Sequence, residues 1–171
     1  MLTIYLAGNI NGLTYSQATG WREDYEDFLY QHGYRTLNPL RGTNYMKKIL
    51  NKNEKIDDCD ERIVKIPHTI ILERDLLDIE LSEVILANME HTNKKPSYGL
   101  LVELGYALAR QKSVIIMNAP DLVRMHPFFS EFYFVNKQED LLNILIELQE
   151  NLVWVGDDNP EPEDFMGIDL N

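Results

Sequence analysis

EVILANMEHTNKKPSYGLLVELGYALARQKSVIIM, residues Glu83–Met117, decides the fold. Two short apolar runs, EVILAN at Glu83–Asn88 and SVIIM at Ser113–Met117, read as strands, and Gly99–Gln111 between them reads as a helix. Upstream, Pro67–Leu81 predicts a helix with Pro67 suited to its first turn. Leu2–Leu6 is a short apolar run halted by Ala7-Gly8-Asn9, a strand followed by a turn. Ser16–His32 reads as a helix with Trp21, Tyr25, Phe28 and Leu29 at helical spacing and Gly33 closing it. Tyr34–Leu37 is a second strand, stopped by Asn38-Pro39. Downstream, Phe132–Val135 reads as a further strand and Gln138–Asn151 as an amphipathic helix. Strands alternating with helices imply βαβ units on a parallel sheet, an α/β class.

Residues 41–65 are less regular. They hold a short helix near Asn44–Leu50 and the polar stretch NKNEKIDDCDE, expected to form a partly mobile excursion. Residues 1–151 are expected to form one domain, and residues 152–171 an acidic C-terminal tail. The 171 residues, 44% of them hydrophobic, suffice for one sizeable core.

Charge narrows the partners. The chain has 28 acidic and 16 basic residues, a formal charge of −12. Six of the acids lie at or beyond Asp157 with no base among them, so half the net charge sits in the tail. Such a chain is ill suited to a nucleic-acid polymer or to an anionic membrane surface. One cysteine, Cys59, excludes an internal disulfide and a cysteine-based zinc site. With no signal-like N-terminus and no apolar run near the ~20 residues of a membrane span, a cytoplasmic location is expected.

Open parallel sheets bind ligands beyond the carboxyl ends of their strands, which draws attention to Gly8-Asn9, Asn88 and Asn118. The turn AGNINGL has two glycines but not the GxGxxG spacing, so it is either backbone brought close to a ligand or only a tight turn. Glu103 falls near the start of a helix that opens from a carboxyl-end loop. The helix dipole there favours an ionised carboxylate, suited to a nucleophile, although first-turn glutamates also serve helices alone. Asp75 lies beside a stripe of Leu72, Leu76 and Ile79 expected to pack, either as a boundary residue or at the edge of a cleft. Together the two carboxylates match what cleavage of a glycosidic bond requires, one acting on the sugar carbon and one on the proton. His32, His68, His91 and His126 show no metal-ligand spacing, Asp57–Glu61 lacks the pattern of a calcium loop, and GxSxG is missing.

The stretches IYLAGNINGLTY, WRE, NPLRG, ERDLLDIELSEVILAN and PSYGLLVELGYA occur in this order between Ile4 and Ala107, within a resemblance that covers roughly Leu2–Leu148. The chain thereby resembles the nucleoside 2-deoxyribosyltransferase family, most specifically around Asp75 and Glu103. The resemblance implies a single Rossmann-like, flavodoxin-like domain with a five-stranded parallel sheet flanked by helices. It also implies homo-oligomers, dimeric or higher, whose subunits close each other's pockets. Glu103 matches the family's nucleophile, Asp75 its acid and Tyr5 the tyrosine that hydrogen-bonds the nucleophile. Gly8, Asn9, Asn88, Ser97 and Gly99 match substrate-lining positions, and Met125 a residue that reaches a neighbouring site. No metal or organic cofactor is implied, and the partners are small molecules, a nucleoside or nucleotide and a free base.

Two departures matter. Gly99-Leu100 stands where many relatives have Gly-Thr. Ser97 stands where some transferases have an aspartate on the sugar hydroxyls, and where related deoxynucleoside 5′-monophosphate N-glycosidases have a phosphate-binding serine. Lys94 and Lys95 just upstream add positive charge, or are only a solvated loop. Three readings follow: base exchange between 2′-deoxyribonucleosides, hydrolysis of their 5′-monophosphates, or a non-catalytic nucleotide-binding module.

Overall fold

A computed structural model describes residues 1–57, 59–90 and 97–153. Lys94 and Lys95, and the acidic tail beyond residue 153, lie outside the described residues. The elements of the first compact unit, Met1–Asn136, are β1 (Thr3–Gly8), α1 (Tyr15–Gln31), β2 (Arg35–Leu37), α2 (Met46–Ile49), α3 (His68–Leu81), β3 (Val84–Asn88), α4 (Tyr98–Ala109), β4 (Ser113–Met117), α5 (Asp121–Arg124) and β5 (Tyr133–Val135). The second unit, Lys137–Asn171, carries α6 (Gln138–Val153). No described helix is long and apolar enough to cross a membrane.

The five strands are all parallel, in the order β2-β1-β3-β4-β5. The chain leaves β1 for β2 on one side and then returns to β3 on the other. The order therefore reverses between β1 and β3, and at such a switch point the connecting loops part to leave a crevice at the carboxyl ends. Gly8 stands opposite Asn88 there, and Asn88 opposite Met117.

β1 runs two residues past its expected end, through Ala7 and Gly8, because Ala87 and Asn88 of β3 supply ladder partners. β2 ends at Leu37 opposite Tyr5. Tyr5, Ala7, Ile85 and Ala87 pack on one sheet face with Ile79 of α3 and with Leu100, Leu104 and Ala107 of α4. α1 starts with a capping box, in which the Thr14 side chain accepts from the Gln17 N–H and the Gln17 side chain accepts from the Thr14 N–H.

Two local expectations change. Leu72 is 51% exposed, so Leu72, Leu76 and Ile79 do not form the packed stripe of α3. The inward positions are one step round the helix, with Asp78 and Ile79 buried and Asp75 partly buried. Arg41 forms a two-pronged ion pair with Asp78, and Arg74 pairs with Asp75, so both inward carboxylates are compensated. The polar excursion is also tied down. Ile56 and Ile63 are buried in a second cluster with Leu13, Leu40 and Leu50. The Gly12 N–H donates to Ile56 O at 2.9 Å and the Ile56 N–H to Leu13 O at 2.7 Å. The flanking charges had hidden these isolated apolar anchors.

Gly8 is needed for space. A Cβ there would lie 2.9 Å from Trp21 Cζ2, 3.2 Å from Asn88 O and 3.3 Å from Arg22 Nη2. The indole, the β3 backbone and the buried guanidinium would all have to give. Gly8→Ala is expected to cost about 1–3 kcal/mol, read as a lowered denaturant midpoint at unchanged slope.

Candidate active site

Tyr5 lies at the third position of β1, fully buried, and its hydroxyl donates to Glu103 Oε1 at 2.8 Å. Glu103 is partly exposed and stands six residues into α4, in the second turn rather than the first. The helix dipole therefore does not hold Glu103 ionised as expected, because it acts mainly within the terminal turn. Burial instead pushes the Glu103 carboxyl up to about 7, with the negative charge of Asp75 adding to the rise and the Tyr5 hydroxyl and Arg22 opposing it. The Tyr5 hydroxyl is itself pushed far up by burial and by the charge on Glu103.

Asp75 reaches this site from α3. Its Oδ1 accepts from Arg74 Nη2 at 2.7 Å and Nε at 3.0 Å. Burial raises its carboxyl above the usual range, and Arg74 pulls the other way. Arg74 Nη2 also donates to Pro39 O at 2.6 Å, tying the loop after β2 to α3. The structure thus brings Tyr5, Asp75 and Glu103 into one electrostatic unit from three separate elements.

The crevice side is built from β1, β3 and the start of α4. Asn9 Oδ1 accepts from the Ser97 N–H at 3.3 Å. Ser97 is the N-cap of α4, its Oγ accepting from the Leu100 N–H at 3.1 Å. Asn88 is buried, and its Oδ1 accepts from the Glu90 N–H at 2.9 Å and from Asn118 Nδ2 at 3.0 Å. Asn118 holds a left-handed backbone with φ of 55° to do so. Gly99 lies exposed in the first turn of α4, where a Cβ would meet nothing within 4 Å. Met125 caps α5 at 81% exposure and is not brought to the carboxylate pair.

Sequence reasoning missed Arg22 and Arg74 as parts of this site. Arg22 had a signal, since it follows Ala18 by four residues and precedes Leu29 by seven, all on the buried stripe of α1. Arg74 had none, because its role depends on a loop 35 residues away.

The family model described as nucleoside 2-deoxyribosyltransferase matches residues 4–166. The chain belongs to the nucleoside 2-deoxyribosyltransferase family. Among curated proteins none matches it. Solved structures share the fold at low identity. A 2-deoxyribosyltransferase from Bacillus psychrosaccharolyticus is 15% identical, with 82% of this chain and 90% of that one covered and a TM-score of 0.54. The solution structure of BlsM is 16% identical, with 94% and 97% covered and a TM-score of 0.52. The CMP N-glycosidase BcmB from Clostridium botulinum is 17% identical, with 84% and 97% covered and a TM-score of 0.49. Members of this family are glycosyl-transferring enzymes that act on nucleosides and bases.

Proposed function

We propose that the protein cleaves the N-glycosidic bond of 2′-deoxyribonucleosides and transfers the sugar to another base. The observation that carries this is the half-buried Tyr5–Glu103 hydrogen bond beside Asp75 at the switch point of the sheet. In the first displacement the Glu103 carboxylate attacks C1′ and the C1′–N bond breaks, its electron pair passing to the base nitrogen. Asp75 delivers the proton that neutralises the departing base. In the second, a nitrogen of an incoming base attacks C1′ of the deoxyribosyl-Glu103 ester, Glu103 leaves as carboxylate, and Asp75 takes the proton back. Two inversions give retention. The Tyr5 hydroxyl orients the attacking oxygen. The raised carboxyl of Asp75 keeps its proton to higher pH than an exposed aspartate, which suits a donor. Gly8, Asn9, Asn88, Ser97 and Gly99 would line the substrate along the crevice.

One observation favours the second reading, hydrolysis of deoxynucleoside 5′-monophosphates. Ser97 caps α4 next to Asn9, and a capped helix N-terminus beside a crevice suits an anion such as a phosphate. Deoxyinosine and a panel of deoxynucleoside 5′-monophosphates, each incubated with and without adenine and cytosine and resolved by chromatography, separate the readings. New deoxynucleosides that need an added base support transfer. Free base released from monophosphates without an acceptor supports hydrolysis. No product from any of them removes both.

The same reading includes association of at least two copies, with Met125 of one reaching the site of another. Support comes from large apolar side chains left exposed on α3 and α4, Leu77 at 56%, Leu81 at 59% and Val102 at 56%, and from Met125 itself. Light scattering is expected to give a multiple of 20.0 kDa, and a monomer at assay concentration would remove this part.

A further inference from the structure

Arg22 is the largest fully buried side chain among the described residues, at 0% exposure. All its described hydrogen bonds go to backbone carbonyls, Nε to Leu6 O at 3.2 Å, Nη2 to Gly8 O at 2.9 Å and Nη1 to Ala18 O at 2.5 Å. No described carboxylate is hydrogen-bonded to it. A buried cation without a direct counter-ion is costly, so its position calls for a physical reason.

The ladder supplies one. Leu2 O accepts from the Arg35 N–H on the β2 side, whereas Thr3 O accepts from the Glu83 N–H on the β3 side. Carbonyls alternate along a strand, so those of Leu6 and Gly8 also turn toward β2. β2 has ended by then at Leu37, and the next residue in phase, Pro39, has no N–H to donate. The guanidinium takes the place of the missing strand at the edge of the sheet. Trp21 stacks on it, with the guanidinium carbon 4.5 Å from the ring centroid. The adjoining residue of β1 is Tyr5, the partner of Glu103.

We infer that Arg22 is a positioning residue for Glu103: it holds the carboxyl end of β1 in place under Tyr5 and supplies the buried positive charge that favours the carboxylate form of Glu103. This rests on the proposed role of Glu103 as nucleophile. The described groups that act on Glu103 are the Tyr5 hydroxyl from β1, Asp75 from α3 and Arg22 from α1, and Arg22 is the cation among them. Asp75 in turn faces Arg74, Asp78 and Arg41. Arg22 feels Glu103, Tyr5 and Asp75 together with Glu26 of its own helix. Burial lowers it to about 10, so it stays charged at neutral pH.

The test is a carbon-13 NMR titration of Glu103 in the full chain, its side-chain carboxyl signal assigned by its loss in Glu103→Gln. Arg22→Met is expected to raise the Glu103 midpoint by about one unit, and Arg22→Lys to leave it within a few tenths of wild type. Both lose thermal stability through the orphaned carbonyls. Should Arg22→Met not fold, Arg22→citrulline removes the charge, keeps planar donors, and is expected to give the same rise. An unchanged midpoint in the folded neutral variant, or an equal rise in Arg22→Lys, overturns the inference. The titration needs no turnover. A wild-type protein inactive on every substrate would sink the catalytic reading while leaving the charge effect readable. In an active enzyme the acid limb of kcat/KM moves up with the midpoint.

Discussion

Glu103→Gln is expected to lower turnover by about 10³-fold or more, because an amide cannot form the ester on which both displacements depend. The substitution is nearly isosteric, and its amide oxygen still accepts from Tyr5. The fold should survive it for an electrostatic reason as well. The folded state raises the Glu103 carboxyl from 4.5 to about 7, so it binds the proton more tightly than the unfolded chain. Ionising Glu103 therefore weakens the fold as pH rises through that window, and the neutral amide avoids the cost. At pH 8 the variant is expected to melt at or above the wild-type temperature while its activity is lost. In the wild type, kcat/KM is expected to climb with pH through about 7 as the attacking carboxylate forms. Mass spectrometry of acid-quenched wild type should show one deoxyribosyl unit on Glu103 and none on the variant. Near wild-type turnover in Glu103→Gln would contradict the proposed mechanism outright.

Asp75→Asn is expected to cost about 10²- to 10⁴-fold, the range of a lost general acid. The loss should depend on the base. A departing base that is already cationic needs no proton, so a substrate methylated on the purine ring is expected to lose far less than deoxyadenosine. The charge of Asp75 also raises the Glu103 carboxyl, so its removal should move the acid limb of kcat/KM to lower pH. Asparagine keeps an oxygen for Arg74, which limits collateral change in the loop at Pro39. An equal loss for all bases, with no shift of the acid limb, would reduce Asp75 to a structural role.

The elements were legible because their signals are local. Apolar runs mark β1, β3 and β4, and Asn38-Pro39 stops β2. The alternation of strands and helices dictates a parallel sheet, whose switch point directs attention to Gly8 and Asn88. The local signal misled where two patterns overlapped. On α3 the leucines at 72 and 76 outvoted the inward Asp75 and Asp78, whose burial is made tolerable by Arg74 and Arg41.

Helix position made Asp75 and Glu103 candidates, Asp75 beside an apolar stripe and Glu103 near a carboxyl-end loop, and the resemblance of the stretches around them singled them out. Their chemistry was decided by tertiary structure, because a carboxyl group's ionisation depends on what surrounds it rather than on what precedes it in the chain. The Tyr5 hydroxyl that meets Glu103 comes from 98 residues away. A place near a helix start favours a readily ionised Glu103, and burial reverses the sign. Arg22 shows the same division. Its place on the stripe of α1 is written in the spacing of Ala18, Arg22 and Leu29, but its work follows from a strand that stops three residues short of its neighbour's end. Only the assembled sheet leaves those carbonyls without a partner and puts a buried charge within reach of Glu103.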